Sequence, residues 1–297
     1  IARQAGKLAL DYFRKRDQLD IQTKRSLSDM VSEADRETET LIRAALSEAY
    51  PEDAQLGEEH GLSDGVSGLT WVIDPIDGTA PYLMGMPGWC VSIGLMDADG
   101  PLLGAIYAPV LDEMYLGLRG QGATLNGRPI GVTERFTLET GLLGLGGNDK
   151  VPAARMGQLV SDLAGQGIAW TRYGSGALML AFVAAGRLTG YVEARMSIWD
   201  CLAAYAIIGA AGGCTGPLPP AGAMLDSFPV LGAIPPSMFI DIAEQSGLIV
   251  PLGYWVISRA LRDMQDLRER GLPPLHMAVN LSFRQFQDSQ LLSTLSR

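Results

Sequence analysis

The pattern of apolar residues changes character along the chain, and each change marks an element. Residues 1–15 place Ala5, Leu8, Leu10, Tyr12 and Phe13 at roughly helical spacing with basic residues between them, which predicts a helix. A polar stretch, "DIQTKRSLSD", follows, and then "VSEADRETETLIRAALSEAYP" (31–51) predicts a second helix. Ser32 is a suitable N-cap there, acidic residues fill the first turns, and Pro51 lies just past the end. From 70 to 134 the pattern becomes one of strands. The short runs "TWVID", "WCVSIGLM", "GPLLGAIYAPV" and "EMYLGL" are divided by turn chemistry such as "DADG" and "NGRPI". From 141 to 210, "YGSGALMLAFVAAGRL" reads as a helix opened by Gly-Ser-Gly and "GYVEA" as a strand. "WDCLAAYAIIGAAGG" reads as an apolar helix ended by glycines. "FPVLGAI" is a further strand inside a Pro/Gly-rich stretch, 216–238. Helices first, then a strand block, then alternating elements predict a layered α/β (α+β) architecture.

Composition narrows the function classes. The chain has 297 residues, 47% of them hydrophobic, enough for a sizeable core. The longest apolar run, "CLAAYAIIGAAGGC" (201–214), falls short of the ~18 to 20 residues of a membrane span and predicts a buried helix. No secretory signal is recognisable, so a cytoplasmic location is the default expectation, with no membrane partner. Cys90, Cys201 and Cys214 fit neither a disulfide framework nor a zinc site and read as small buried hydrophobes. A net charge of −10 argues against a nucleic-acid partner. An acidic chain still binds an anionic substrate if a metal inverts the local charge. Residues 239–297 hold six basic and six acidic residues, so the whole −10 falls on the residues before them, and a domain boundary is expected near 238. Both ends stop inside helical patterns, which reads as a fragment.

The chemistry concentrates in "TWVIDPIDGTAPY" (70–82). A buried strand reaches Asp74, and Pro75, which lacks a donor and fixes φ, is expected to stop it there. A turn then brings Asp74, Asp77 and the Ile76 carbonyl to one point. Gly78 admits close backbone approach, and the free N–H groups at Thr79 suit a phosphate. Hard oxygen donors of this kind suit Mg²⁺ better than zinc. Two such ions ~3.5 to 4 Å apart acidify a water and stabilise the leaving oxygen of a phosphate ester. The bland alternative is that both aspartates are turn residues.

"WVIDPIDGT" resembles the first signature of the inositol monophosphatase family, Mg²⁺-dependent and lithium-sensitive phosphomonoesterases. "GEEH" (57–60) resembles that family's upstream acidic motif, "SIWDCLAAYAIIGAAGG" (197–213) its second signature, and "VSEAD" (31–35), with Lys24 upstream, its N-terminal segment. The resemblance implies alternating α-β-α-β-α layers, a homodimer, a small phosphorylated metabolite as substrate, and two or three Mg²⁺ ions. It also implies that Glu58, Asp74 and the Ile76 carbonyl hold one ion and that Asp74, Asp77 and Asp200 hold the second. Gly78 and Thr79 would cradle the phosphate, and Thr79 with Asp35 would position and help deprotonate the attacking water. Glu193 is implied to touch substrate hydroxyls, against an ordinary rim carboxylate. Gly174 and Ser175 match the substrate-side helix opening, against a plain helix N-terminus. Lys24 would neutralise phosphate or order a water, against a solvated loop lysine. His60 reads as exposed loop. After Thr79 the chain has Ala80, Pro81 and Tyr82 where inositol-type members commonly have Thr-Asn-Phe. The substrate therefore stays open among inositol phosphate, histidinol phosphate and related monoesters.

Residues 239–292 resemble an internal stretch of the EAL domain, a cyclic di-GMP phosphodiesterase with a TIM-like barrel. "FIDIAEQSGLI", "LGYWVI" and "AVNLSFRQF" carry the likeness. Asn280 matches a metal-ligand position, but the Glu-Ala-Leu strand is absent and one or two βα units cannot close a barrel. The expected organisation is a phosphatase domain over 1–238 and a truncated EAL-like segment over 239–297, with an amphipathic helix over 249–270 and a strand at "HMAVNLS". Two other readings remain: a cyclic di-GMP signalling module, and a non-catalytic fusion or chimera with a poorly packed tail.

Overall fold

A stripe of small residues seats the first helix. In the computed structural model, α1 (Ala2–Arg14) buries Ala2, Ala5, Gly6 and Ala9. At Gly6 a Cβ would lie 2.4 Å from the Tyr107 ring, so the helix lies directly on the sheet. The structure describes residues 1–15, 21–23, 30–133, 135–136, 140–148, 151–219 and 224–233, and beyond these only 250, 253, 254 and 257. Lys24, Asn280, the expected helix over 249–270 and the "HMAVNLS" strand therefore lie outside the described residues, apart from those four helical positions. The chain divides into two compact units, Ile1–Pro235 and Pro236–Arg297.

In the first unit a short pair, β1 (Ile21–Thr23) and β2 (Met30–Ser32), leads into α2 (Glu33–Ala49). That helix buries Ala34, Thr38, Ile42 and Leu46, one position every four residues. Then come β3 (Ala54–Gly57), β4 (Gly61–Ser63), β5 (Thr70–Asp77), the five-residue α3 (Thr79–Leu83), β6 (Cys90–Asp97), β7 (Gly100–Ala108), β8 (Glu113–Leu118), β9 (Gly122–Leu125) and β10 (Arg128–Ile130). They build an eight-stranded sheet in the order β10-β9-β8-β7-β6-β5-β3-β4. The rest comprises β11 (Leu143–Leu145), α4 (Ala153–Gly165), β12 (Trp170–Thr171), α5 (Gly176–Ala184), β13 (Gly190–Met196), α6 (Leu202–Ala210), β14 (Cys214–Thr215) and β15 (Phe228–Ala233). Its strands form a five-stranded sheet, β12-β11-β13-β15-β14.

The layers follow from the strand faces. On β6, Val91, Ile93 and Leu95 pack with Ala2, Ala5, Ile42 and Leu46 of the first two helices. The opposite face of the large sheet, with Cys90, Ile106 and Tyr115, packs against Leu178, Leu180, Ile207 and Ile208 of α5 and α6. Those helices in turn meet Tyr191 and Val230 of the small sheet. α4 is the crossover that the parallel neighbours β11 and β12 require. α1 and α2 thus cover one face of the large sheet, and α5 and α6 lie between the two sheets.

β15 is stitched in on both sides, pairing with β13 and β14, and the Tyr205 hydroxyl accepts from Leu231 N at 3.2 Å. Val230 sits opposite Glu193 and is 2% exposed. Val230→Asp, which buries an unpaired charge, is expected to cost about 3 kcal/mol or more in urea unfolding. A cost below about 1 kcal/mol would show that the strand is dispensable.

Candidate active site

The Pro75 stop does not occur: β5 runs on to Asp77. Asp74 pairs with Ser92 and Asp77 with Cys90, so Pro75 and Ile76 together face the single residue Val91. This is a β-bulge. Proline's missing donor interrupts the ladder, its φ still suits extended backbone, and the extra residue absorbs the misfit. The consequence is chemical. Residues three apart on a regular strand point to opposite faces. The bulge reverses that parity, so Asp74 and Asp77 share the face of Ser92 and Cys90, towards α5 and α6. Ile76 turns the other way, into the cluster with Ala9, Ala34 and Tyr82.

Asp200, just before α6, closes the group, with its Oδ2 accepting from Ser197 N at 3.0 Å. Among the described residues, Asp74, Asp77 and Asp200 each offer a carboxylate oxygen, all within 4.8 Å of one another. Asp74 is 1% and Asp77 8% exposed. Burial, then the charges of Glu58, Asp77 and Asp200, push the Asp74 carboxyl well above its ordinary range. Asp77 is also raised by burial, partly offset by hydrogen bonds from Ser175 and the start of α5. Oxygen-only donors, crowded and raised in pKa for want of a counter-charge, fit a hard divalent cation, so this cluster can hold a metal.

Glu58 lies in the turn between β3 and β4. The residue is exposed at the surface, yet desolvation by the surrounding protein, then the charges of Asp200 and Asp35, pushes its carboxyl above the usual value. Asp35 is buried in the first turn of α2, 4% exposed, and its charge reaches both Glu58 and Asp74. Gly78 caps α3 with φ 96°, and a Cβ there would meet Gly88 O at 2.8 Å. Only glycine fits that position. Thr79 Oγ1 donates to the Ile76 carbonyl at 3.4 Å. Gly174 is exposed at φ 92°. Ser175, expected on the substrate side, is buried as the N-cap of α5, and its hydroxyl donates to Asp77. Ala177 N donates to the same Asp77 oxygen at 2.7 Å. The Gly-Ser-Gly opening thus holds a carboxylate at a helix N-terminus, where the dipole favours it.

Glu193 on β13 is half-buried. Tyr191 donates to its Oε2 at 2.5 Å and Asn148 to its Oε1 at 3.1 Å. Burial, and then the charge of Asp77, raise its pKa to about 7. Tyr191 and Asn148 were not legible as site residues; only their nearness to Glu193 in the fold reveals them. His60 is exposed, as expected, with Nδ1 3.4 Å from Glu39. Cys90 and Cys201 are buried, as expected, and Cys214 is intermediate.

The raised carboxyls fix a pH dependence. A group raised in the folded state stabilises the fold below its unfolded pKa and loses that contribution as pH rises through the folded value. Glu193, with its folded value near 7, sheds its share from about pH 5 to 8, and Asp74 and Glu58 act in the same direction. Asp97 and Glu113 are lowered by Arg119 and Arg187 and stay ionised over that range. In chelator, the melting temperature is expected to fall between about pH 5.5 and 8, and added Mg²⁺ to reverse the fall. A flat or rising profile in chelator would contradict this.

The profile of the inositol monophosphatase family matches residues 1–226. The chain belongs to that family. The profile of the EAL domain matches residues 228–297, so β15 of the small sheet falls within the EAL match although it is paired into the first unit. A relative named Nus factor SuhB from Xylella fastidiosa is 39% identical over 71% of this chain and 77% of its own length. A histidinol-phosphatase from Chlorobaculum parvum is 38% identical over 72% of this chain and 82% of its own length. The crystal structure of the extragenic suppressor protein suhB from Bartonella henselae superposes with a TM-score of 0.75 at 29% identity, covering 82% of this chain and 95% of that one. The family, and relatives named histidinol-phosphatase and inositol-1-monophosphatase, support a phosphatase-type hydrolase, while other relatives carry the name Nus factor SuhB. The homodimer and the lack of a nucleic-acid partner draw no support from these comparisons. No helix among the described residues is long and apolar enough to cross a membrane.

Proposed function

We propose that residues 1–238 hydrolyse a small phosphate monoester, of the inositol phosphate or histidinol phosphate kind, with Mg²⁺. The observation that carries this is the bulge-built triad of Asp74, Asp77 and Asp200. Mg²⁺ held by these three, with Glu58 and the Ile76 carbonyl completing the donor set, would supply Lewis acidity at the phosphate and at a water. The chain's own groups do the rest. The N–H groups of Gly78 and Thr79 bind phosphate oxygens at the start of α3. Asp35 takes the proton of the attacking water, and the Thr79 hydroxyl orients that water. Glu193, fixed by Tyr191 and Asn148, accepts a hydrogen bond from the alcohol part of the substrate. Lys24 is assigned to the phosphate side. Gly174 and Ser175 act through the α5 N-terminus that anchors Asp77.

We assign no activity to the EAL-like segment over 239–297. The Glu-Ala-Leu stretch does not occur there, and Asn280 is its single residue at a metal-ligand position. Phosphate release is to be measured with inositol 1-phosphate, histidinol phosphate, a nucleotide 3'-phosphate and fructose 1,6-bisphosphate, with Mg²⁺ and with chelator. Mg²⁺-dependent release from any of them supports the reading and names the substrate class. Release from none, by a chain with a cooperative melt, overturns it.

A further inference from the structure

We propose that Glu39 is a positioning residue for the metal site: from inside α2 it clamps the turn that carries Glu58. This rests on the reading of Glu58 as a metal ligand. The Glu39 side chain is fully buried, and buried carboxyl oxygens need donors around them. Those donors belong to one turn and its brace. Oε2 accepts from Glu59 N at 2.7 Å, and Oε1 accepts from His60 N at 3.2 Å and from Arg43 Nε at 2.7 Å. The two backbone donors directly follow Glu58. On its other side, Gly57 lies so close that a Cβ would stand 2.0 Å from Glu39 Oε1. Arg43 extends the clamp across the hairpin, donating to the Gly61 carbonyl and to Ser63 Oγ. Glu58 N itself donates to Ile73 O at 3.3 Å, tying the turn to the strand that carries Asp74 and Asp77. The turn is therefore pinned to α2 by Glu39 and to β5 by its own backbone. The backbone that bears Glu58 is thereby held beside the strand that carries Asp74 and Asp77.

A carboxylate loose in a turn pays ordering entropy when it binds a cation; one already held does not. Removing the clamp should therefore weaken cation binding more than it slows turnover once the site is filled. Glu39→Gln keeps the side-chain shape but sets an amide N–H₂ against backbone donors. Calorimetric titration of the metal-free full chain is expected to show Mg²⁺ binding about tenfold weaker, about 1.4 kcal/mol, in this variant. Phosphate release should need about tenfold more Mg²⁺, with kcat at saturation within about twofold of the parent. Gly57→Ala presses the same turn from the other side with the carboxylate intact and should weaken binding in the same direction. It serves if Glu39→Gln fails to fold. Leu46→Ala, a cavity in the same helix at a residue 1% exposed, should lower the melting temperature and leave Mg²⁺ affinity unchanged. Parent-like Mg²⁺ affinity in both clamp variants overturns the proposal, as does equal weakening by Leu46→Ala. A parent chain that binds no Mg²⁺ overturns the metal-site reading, and the proposal with it.

Discussion

Asp77→Asn is expected to lower phosphate release at saturating Mg²⁺ by about a thousandfold or more, about 4 kcal/mol of transition-state stabilisation. The substitution is nearly isosteric. The remaining carbonyl oxygen still accepts from Ser175 and Ala177, so the start of α5 keeps its anchor. What goes is one charge of three in a cluster whose oxygens lie within 4.8 Å of each other. That charge is what would hold a divalent cation at the bulge. In the metal-free chain it is a liability, because burial holds Asp77 above its ordinary pKa. Activity and stability should thus move in opposite directions: release collapses, while the melting temperature in chelator at about pH 8 stays the same or rises. Steady-state release and melts on one preparation check both. Activity within about tenfold of the parent would remove Asp77 from the reaction.

Gly104→Val is expected to cost about 3 kcal/mol or more in urea unfolding. Gly94, Gly104 and Gly117 sit opposite one another on the adjacent strands β6, β7 and β8. A Cβ on Gly104 would lie 1.9 Å from the Ala203 carbonyl oxygen, and one on Gly117 2.5 Å from Ile207 Cα. α6 therefore rests its backbone in a row of glycines across the sheet. The obstructing atoms are backbone, so no side chain can rotate away, and valine forces the helix off the sheet. The damage reaches the site because Asp200 lies two residues before the first residue of α6. Mg²⁺ affinity should fall along with stability. A valine variant within about 1 kcal/mol of the parent would mean that the helix and sheet are not in such close contact.

Periodic elements were legible in the sequence. α1 and α2 bury one face against the large sheet and show a helical apolar period, whereas α5 and α6, between the two sheets, and β5 and β6, covered on both faces, show as near-continuous apolar runs. β3 and β4, at four and three residues, are too short to show a period. Three-dimensional pairing hid the rest. Proline at position 75 reads locally as a strand end, and only the register with β6 turns it into a bulge. The residue types of the site were readable from Asp-Pro-Ile-Asp-Gly-Thr. The reason two aspartates three apart can work together was not. The mid-strand glycines in "SIGLM", "LLGAIY" and "YLGL" did carry a signal, since glycine inside a strand marks close backbone approach. Ser175 was recognised as part of a motif, but its partner, Asp77, lies 98 residues away and only the fold reveals it.

The proposed chemistry stands or falls on whether the carboxylates of Asp74, Asp77 and Asp200 bind a divalent cation. Crystals soaked in Mn²⁺, a divalent stand-in for Mg²⁺ that scatters anomalously, test it most directly. Strong anomalous peaks coordinated by these three carboxylates and extending towards Glu58 are expected. A soaked crystal with no peak among them, or with Mn²⁺ bound only elsewhere on the chain, would contradict it.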